Sequence, residues 1–489
     1  MIKSYNDFII LANDMKFKRK TIVLASIFII VAGIFSPGKG WAITVQQEEE
    51  LSREFLKVID KHFELIDDPI IVNYLNNIGN KIIATLPPQP FKYQFYIIKQ
   101  DDYNAFASPA GHIFFNSGLL MALENEEELA GIVAHEIAHV VSRHISRNIE
   151  RSKKIGMLTL AGVAAGILLG AGGAAEAANA VTVGSVAAGQ SIALKYSRED
   201  ESQADQLGLD CMARAGYHGK GLISVLNKLR SKQWFGENEI PSYLMTHPTS
   251  KERMAFIDTW LEQNEFAAPN IDPYEFDRAH SWLIAMHGDE SEAFKKFQED
   301  VKKDSSNPLG HYGYGLVLAR SGNRKDAVDH LKEALVHRVF DPYILKDLGR
   351  VYFLEGRYTE ASNVLKGTAN IAKNDPECLF YLGRAQMELG HLAEAATIFE
   401  DLVSLRPDYE QTFYYLGQTY GKMGKLGDAH YHLGIYYNKK KNFQNALFHL
   451  NRALEKTDDP SKKATIENML EKIQKKIKSS QSDRNTKGK

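Results

Sequence analysis

Cysteine is nearly missing from this chain, with Cys211 and Cys378 the only two in 489 residues. That scarcity excludes a disulfide-stapled scaffold, and their wide separation excludes a zinc ribbon or a paired redox motif. Both are expected as buried, small apolar side chains rather than as a disulfide. An excess of one charge is also lacking, since 59 basic and 61 acidic residues leave a net charge of −2. No global field therefore favours nucleic acid or an anionic membrane surface, and partners must be met through local sites. Long apolar runs are few. The first, Ile22 to Phe35, falls short of the ~20 residues that span a bilayer comfortably.

What precedes and follows that run gives it a meaning. Lys16, Lys18, Arg19 and Lys20 come before it, and Ser36, Pro37, Gly38 and Gly40-Trp41-Ala42 come after. A basic stretch, an apolar core and small residues read as a secretory signal peptide over residues 1–42, with retention as a membrane anchor the alternative. The residues before Met15 lengthen the charged region, which makes Met15 a candidate start. No lipobox cysteine is present, so the mature form is expected to be soluble.

The remaining chain, 44% hydrophobic and 25% charged overall, has the composition of two or three packed domains. Gln46 to Ile83 is helical in pattern, and Phe91 to Gln100 alternates like a strand. Asn104 to Asn116 combines a Pro-Gly turn with a β-prone run, which predicts an edge strand beside a cleft. From Asn125 a helix is expected, with Asn125 as N-cap, Glu128 at the capping-box position, and Glu126 and Glu127 suiting the helix dipole. Ile155 to Gly173 is rich in Ala, Gly and Leu and uncharged. It reads as a buried helix or hairpin over the site, with membrane contact the alternative.

The C-terminal half repeats. Gly315, Gly349, Gly383 and Gly417 are spaced by 34, as are Gly322, Gly356, Gly390 and Gly424, and Ala327, Ala361, Ala395 and Ala429. This is the period of the tetratricopeptide repeat, in which small residues let paired antiparallel helices approach and stack into a solenoid. Gly288 and Ala293 mark a degenerate first copy, with Ser281 in place of the first glycine. After Ala429 the ladder restarts at Gly434 and Ala446, 17 residues on. The helix around Asp428 to Tyr437 is therefore expected to close one repeat and open the next. A capping helix is expected beyond Pro460, and a disordered basic tail over 479–489. The fold class is thus α+β and mostly α. The expected organisation is a signal peptide (1–42), a catalytic domain (43–265), a repeat domain (266–478) and the tail.

The chemistry lies inside the Asn125 helix. His135-Glu136-Ile137-Ala138-His139 places two imidazoles at i and i+4, on one face and about 5–6 Å apart at Cβ, which suits one tetrahedral zinc. Glu136 is the candidate base: it would hold a water, take its proton and pass that proton to a leaving amine. A catalytic zinc needs a third protein ligand. Glu201, in Glu201-Ser202-Gln203-Ala204-Asp205-Gln206-Leu207-Gly208, is the candidate, although three consecutive acids there also fit a solvated face. Asp205, one turn on, would accept the free ring N–H of a zinc histidine. His112 and His144 lack ligand spacing to the pentapeptide and are expected to be non-ligands.

Taken together, these motifs resemble the gluzincin metallopeptidases of the HtpX and CAAX-prenyl-protease kind. The resemblance covers most of the mature chain, including protease first and repeats second, and extends to His247-Pro248-Thr249-Ser250-Lys251-Glu252-Arg253. It implies one zinc per subunit on His135, His139 and Glu201, Glu136 as base, and Asp205 behind the ligands. It also gives His247 one of two roles, as transition-state stabiliser or as a fourth ligand that keeps the enzyme latent. Arg253 is expected to pair with a carboxylate near the site. By the same resemblance the protein is a periplasmic endopeptidase with a chaperone-like part in outer-membrane β-barrel assembly. Its clients would be misfolded or stalled outer-membrane proteins, and the β-barrel assembly machinery would bind its repeats. The alternative is a repeat scaffold whose metal site is permanently latent.

Overall fold

The computed structural model describes residues 43–151, 196–231, 241–264 and 271–486. The expected signal peptide and the apolar stretch 155–173 lie outside the described residues.

A four-stranded sheet anchors the N-terminal part. Helix α1 (Val45–His62) starts with a capping box between Thr44 and Gln47. It is followed by β1 (Leu65–Ile66), α2 (Pro69–Ile83), β2 (Gln94–Ile98), β3 (Ala105–Ala107) and β4 (His112–Asn116). The helical pattern read over 46–83 is therefore two helices parted by a short strand, because the Asp68 side chain and Pro69 start a second helix. Strand order is β1-β2-β4-β3, with β2 and β4 parallel and the other pairs antiparallel. Alternation along β3 and β4 divides the side chains between two layers. Phe106 and Phe114 face Phe55 and Ile59 of α1, while Ala105, Ala107, Ile113 and Phe115 enter the main core. The segment expected to make one edge strand makes two. The turn through Ala110 (φ 61°) and Gly111 (φ 86°) folds the chain back, so β3 is the edge and β4 is internal.

Next come α3 (Ser117–Ala122), α4 (Glu126–Val141), α5 (His144–Arg151), α6 (Arg198–Arg214), α7 (Lys220–Arg230), α8 (Ser242–Thr246) and α9 (Lys251–Gln263). Asn125 caps α4 by accepting from the Glu128 N–H. Glu128 itself accepts from the Glu124 N–H and pairs with Lys228. It thus ties α4 to α7 rather than closing the expected capping box. Every residue of α4 from Glu128 to Val140 is buried, which explains its apolar character on all sides. Its neighbours come very near: a Cβ on Gly221 would lie 1.8 Å from the Glu127 carbonyl oxygen, and one on Gly131 2.6 Å from the Leu222 nitrogen. On the other flank α6 presents Ala204 and Gly208, whose added Cβ would touch Ala134 at 3.4 Å.

The repeats begin with α10 (Pro273–His287) and α11 (Glu290–Lys303), the degenerate unit. They continue as α12 (Pro308–Arg320), α13 (Arg324–His337), α14 (Pro342–Leu354), α15 (Tyr358–Ile371), α16 (Pro376–Glu388), α17 (Leu392–Leu405), α18 (Glu410–Lys422) and α19 (Leu426–Lys439). They end with α20 (Phe443–Lys456) and α21 (Pro460–Thr486). Asn307-Pro308, Asp341-Pro342 and Asp375-Pro376 each supply a side-chain cap and a proline at the first turn. The first glycine ladder marks helix crossings. A Cβ on Gly315, Gly349, Gly383 or Gly417 would press 2.5 to 2.9 Å from Leu331, Leu365, Phe399 or Leu433, each 16 residues ahead. The second ladder turns the chain, with Gly322, Gly356, Gly390 and Gly424 at φ of 75° to 90°.

At the expected half-period α19 packs against both α18 and α20. Gly417 meets Leu433 of α19, and Gly434 of α19 meets Leu450 of α20. The terminal helix packs on α20 through Ile466, Leu470 and Ile473. It continues to Thr486, past Ser479, where the disordered tail was expected to begin. The sheet-bearing part and the first repeats share one continuous apolar core, which runs as far as Ala385. Between them α10 lies against α2 and α3, with Phe276 beside Tyr74 and His280 on the Met121 carbonyl. Among the described residues no helix is long and apolar enough to cross a membrane. Cys211 and Cys378 are both buried and free.

Candidate metal centre

Helical periodicity stacks His135 over His139, with their Nε2 atoms 3.0 Å apart. α6 crosses α4 so that Glu201, in its first turn, meets both: Oε2 lies 3.5 Å from His135 Nε2 and Oε1 3.4 Å from His139 Nε2. The chain after α8 brings a third imidazole, His247, whose Nδ1 is 3.0 Å from Glu201 Oε1 and 3.4 Å from His135 Nε2. One donor atom from each of these four side chains lies within 4.8 Å of the others, and all four are buried.

The donor set fits a tetrahedral metal in number and kind. Three imidazole nitrogens and a carboxylate converge with almost no solvent, an arrangement costly to bury without a cation. The local field favours one. Burial and Arg253 oppose charge on His135, yet its bonds to Asp205 and Glu201 raise its pKa to about 9. Burial would raise the Glu201 pKa, but His247 and Arg253 hold it well below the usual carboxylate range.

Behind the donors a supporting layer fixes each ring. Asp205 Oδ1 lies 3.0 Å from His135 Nδ1 and accepts from Arg253 Nη2 at 2.8 Å. Arg253 also pairs with Glu201, so the carboxylate partner left open by the sequence is in fact two. On the other side His139 Nδ1 is 2.9 Å from His144 Nδ1, and His144 Nε2 is 3.0 Å from Gln203 Oε1. Because that amide oxygen only accepts, His144 carries its proton on Nε2 and accepts the His139 Nδ1–H, leaving His139 Nε2 as a bare donor. Tyr196 packs on His139 at 3.8 Å between ring centroids, and Tyr243 stacks on His247 at 4.3 Å and 13°. The Tyr196 N–H donates to the Thr246 carbonyl, and the Tyr243 N–H to the Tyr103 carbonyl, clamping the His247 segment from two sides.

Glu136 stands apart from the donors. It is fully buried, both carboxylate oxygens lack a hydrogen-bond partner, and burial raises its pKa. His247 Nε2, also without a hydrogen-bond partner, lies 3.6 Å from Glu136 Oε1. The structure thus brings together His135, Glu136, His139, Glu201, Asp205 and His247. It leaves His112 outside the group, against the Tyr96 hydroxyl at 2.9 Å. His144, expected only as a non-ligand, joins as a support, as do Tyr196 and Tyr243, which no spacing in the sequence singled out.

Residues 72–261 match the peptidase family M48, and residues 291–366 and 352–411 match tetratricopeptide repeat families. The chain is similar to the beta-barrel assembly-enhancing protease of Yersinia pestis, 25% identical over 320 residues, which is 65% of this chain and 63% of that one. A protein of the same name from Escherichia coli (strain K12) is 24% identical over 363 residues, 67% of this chain and 74% of that one. The mitochondrial metalloendopeptidase OMA1 of Schizosaccharomyces pombe is 25% identical over 202 residues, 41% of this chain and 56% of that one.

Proposed function

From a chain that carries a family M48 metalloprotease domain followed by tetratricopeptide repeats, we propose a zinc endopeptidase that acts in the periplasm on outer-membrane β-barrel proteins. The observation that carries the reading is the meeting of His135, His139 and Glu201 beside a buried Glu136 whose two oxygens have no hydrogen-bond partner. His135, His139 and Glu201 would hold the metal. Zinc, when bound, supplies a Lewis acid for the scissile carbonyl and acidifies the attacking water. Glu136 holds that water, takes its proton and returns it to the leaving amine. Its burial in an apolar helix raises its basicity for this task. β3 ends the strand order of the sheet, and an extended substrate would pair with its backbone once that edge, buried in the resting chain, is uncovered. His247 either donates to the developing oxyanion or fills the fourth ligand position.

Its place among the donor atoms, with Tyr243 stacked on it, supports the second role, so the resting enzyme is restrained. The repeats recruit clients and the assembly machinery, and the protein also assists barrel maturation as a chaperone. The names of its relatives and the resemblance of its motifs support that part of the reading. A permanently latent repeat scaffold is the second reading, supported by the same placement of His247.

Wild type and Glu136→Gln, compared on casein and on a misfolded β-barrel protein with zinc measured in both, decide between them. Cleavage by wild type alone, at equal zinc content, is expected; equal cleavage by both removes the peptidase reading. His247→Ala is expected to raise proteolysis several-fold with zinc retained. A fall in activity at unchanged zinc would assign His247 to the oxyanion instead.

A further inference from the structure

Three side chains of the metal centre are 0% exposed and carry polar atoms with no hydrogen-bond partner. These atoms are both carboxylate oxygens of Glu136, Nε2 of His247 and the hydroxyl of Tyr243. Buried polar groups are nearly always paired, and those a native chain leaves unpaired point to strain or to chemistry.

Packing does not account for the Tyr243 hydroxyl. The ring does the packing: it stacks on the His247 imidazole at 4.3 Å and 13°, and the residue's N–H is held by the Tyr103 carbonyl. A phenylalanine would fill that stack equally well. Glu136 is the charge that acts most strongly on the hydroxyl, yet the two stay beyond hydrogen-bond distance of each other. His247 Nε2 comes to 3.6 Å of the same carboxylate. A proton acceptor and a proton donor thus stand beside one another on fixed supports, neither satisfied by the chain.

Amide hydrolysis asks for that combination. As the water oxygen bonds to the carbonyl carbon, a proton passes to Glu136 and the carbonyl π electrons become an oxyanion. The C–N bond then breaks and the proton goes to the amine. Glu136 handles the proton, and the oxyanion needs a preorganised donor. His247 is drawn among the metal donors by its Nδ1, 3.0 Å from Glu201 Oε1. The Tyr243 hydroxyl has no competing partner, and a phenol keeps its proton at neutral pH.

We propose that Tyr243 is a further catalytic residue, its hydroxyl donating a hydrogen bond to the oxyanion of the tetrahedral species. This role rests on the peptidase reading and deepens it, because it gives the oxyanion a partner other than His247.

The test is Tyr243→Phe, which removes one oxygen and keeps the stack on His247. A fluorogenic peptide and a phosphinic pseudopeptide are built on a bond that wild type cleaves in casein. Tyr243→Phe should lower kcat on the fluorogenic peptide about 100-fold with KM unchanged. The phosphinic pseudopeptide, whose phosphorus oxygens stand in for the oxyanion, should bind it about 100-fold more weakly than wild type. Zinc content should be unchanged and the melting temperature unchanged or higher, since an unpaired buried hydroxyl has been removed. The same loss of kcat should appear when Tyr243→Phe is added to His247→Ala. Equal or raised kcat in Tyr243→Phe overturns the proposal, as does a fall in kcat with phosphinate affinity retained. A fall accompanied by less zinc or a lower melting temperature makes the hydroxyl a structural group and overturns it too, and a loss that vanishes in the His247→Ala background hands the oxyanion to His247. Wild type that cleaves nothing sinks the peptidase reading and this role with it, whereas an active wild type matched by Tyr243→Phe sinks this role alone.

Discussion

His144 touches the candidate metal centre only through His139. Its Nδ1 accepts the proton that would otherwise leave His139 in either tautomer, and Gln203 fixes its own ring in turn. His144→Ala should therefore lower zinc affinity about 10- to 100-fold, read by competition with a chromogenic chelator. His144→Asn, which keeps an acceptor, should recover part of it. Helical spacing made the pairs His135/His139 and Glu201/Asp205 legible, since residues four apart share a face, but only the resemblance to the metallopeptidases joined the two pairs into one candidate site. His144 was not legible, because it lies five residues beyond His139 and off that helical face. Arg143 at φ 51° ends α4, and α5 restarts with His144 turned back toward the site. A left-handed arginine leaves no mark in the sequence.

Turn geometry shows the same effect at the scale of the element. Glycines hold the left-handed position in four successive units, up to Gly424. Seventeen residues later, at the half-period, the equivalent position is Lys441 at φ 58°. A side chain there costs about 1–2 kcal/mol, part of which glycine returns through its freer unfolded chain. Lys441→Gly should stabilise the protein by roughly 0.5 kcal/mol in urea unfolding; a loss of stability would contradict the assignment of register. The repeat helices and their half-period restart were readable from three glycine and alanine ladders. The catalytic part was read less fully. Strands as short as β1 and β3, two and three residues long, are shorter than any window in which alternation can be seen.

For the whole molecule, the question is how the solenoid sits on the peptidase, and charge answers part of it. Asp68, the N-cap of α2, reaches Lys346, which is 1% exposed and also holds Glu377. Burial pushes the Asp68 pKa up to about 7, with Glu377 and Asp347 adding to the rise against the pull of Lys346. The folded state thus binds a proton that the unfolded chain, at its ordinary carboxylate pKa, releases between pH 4 and 7. Stability from this group is present at acid pH and lost as pH rises through 7. Between pH 5 and 8 the loss is on the order of 2 kcal/mol, and Asp68→Asn should flatten it in urea unfolding at the two pH values. Such a contact was invisible in the sequence, where its partners stand hundreds of positions apart.

The depth at which the four donor side chains lie has a kinetic consequence. His135, His139 and His247 are 0% exposed and Glu201 1%, so neither a chelator nor a peptide reaches them by diffusion alone. A chelator therefore needs the chain to open before it can act. Metal loss to an excess of chelator should then proceed at a rate independent of chelator concentration, and agreement of that rate with the ceiling on peptide hydrolysis would show that one opening serves both.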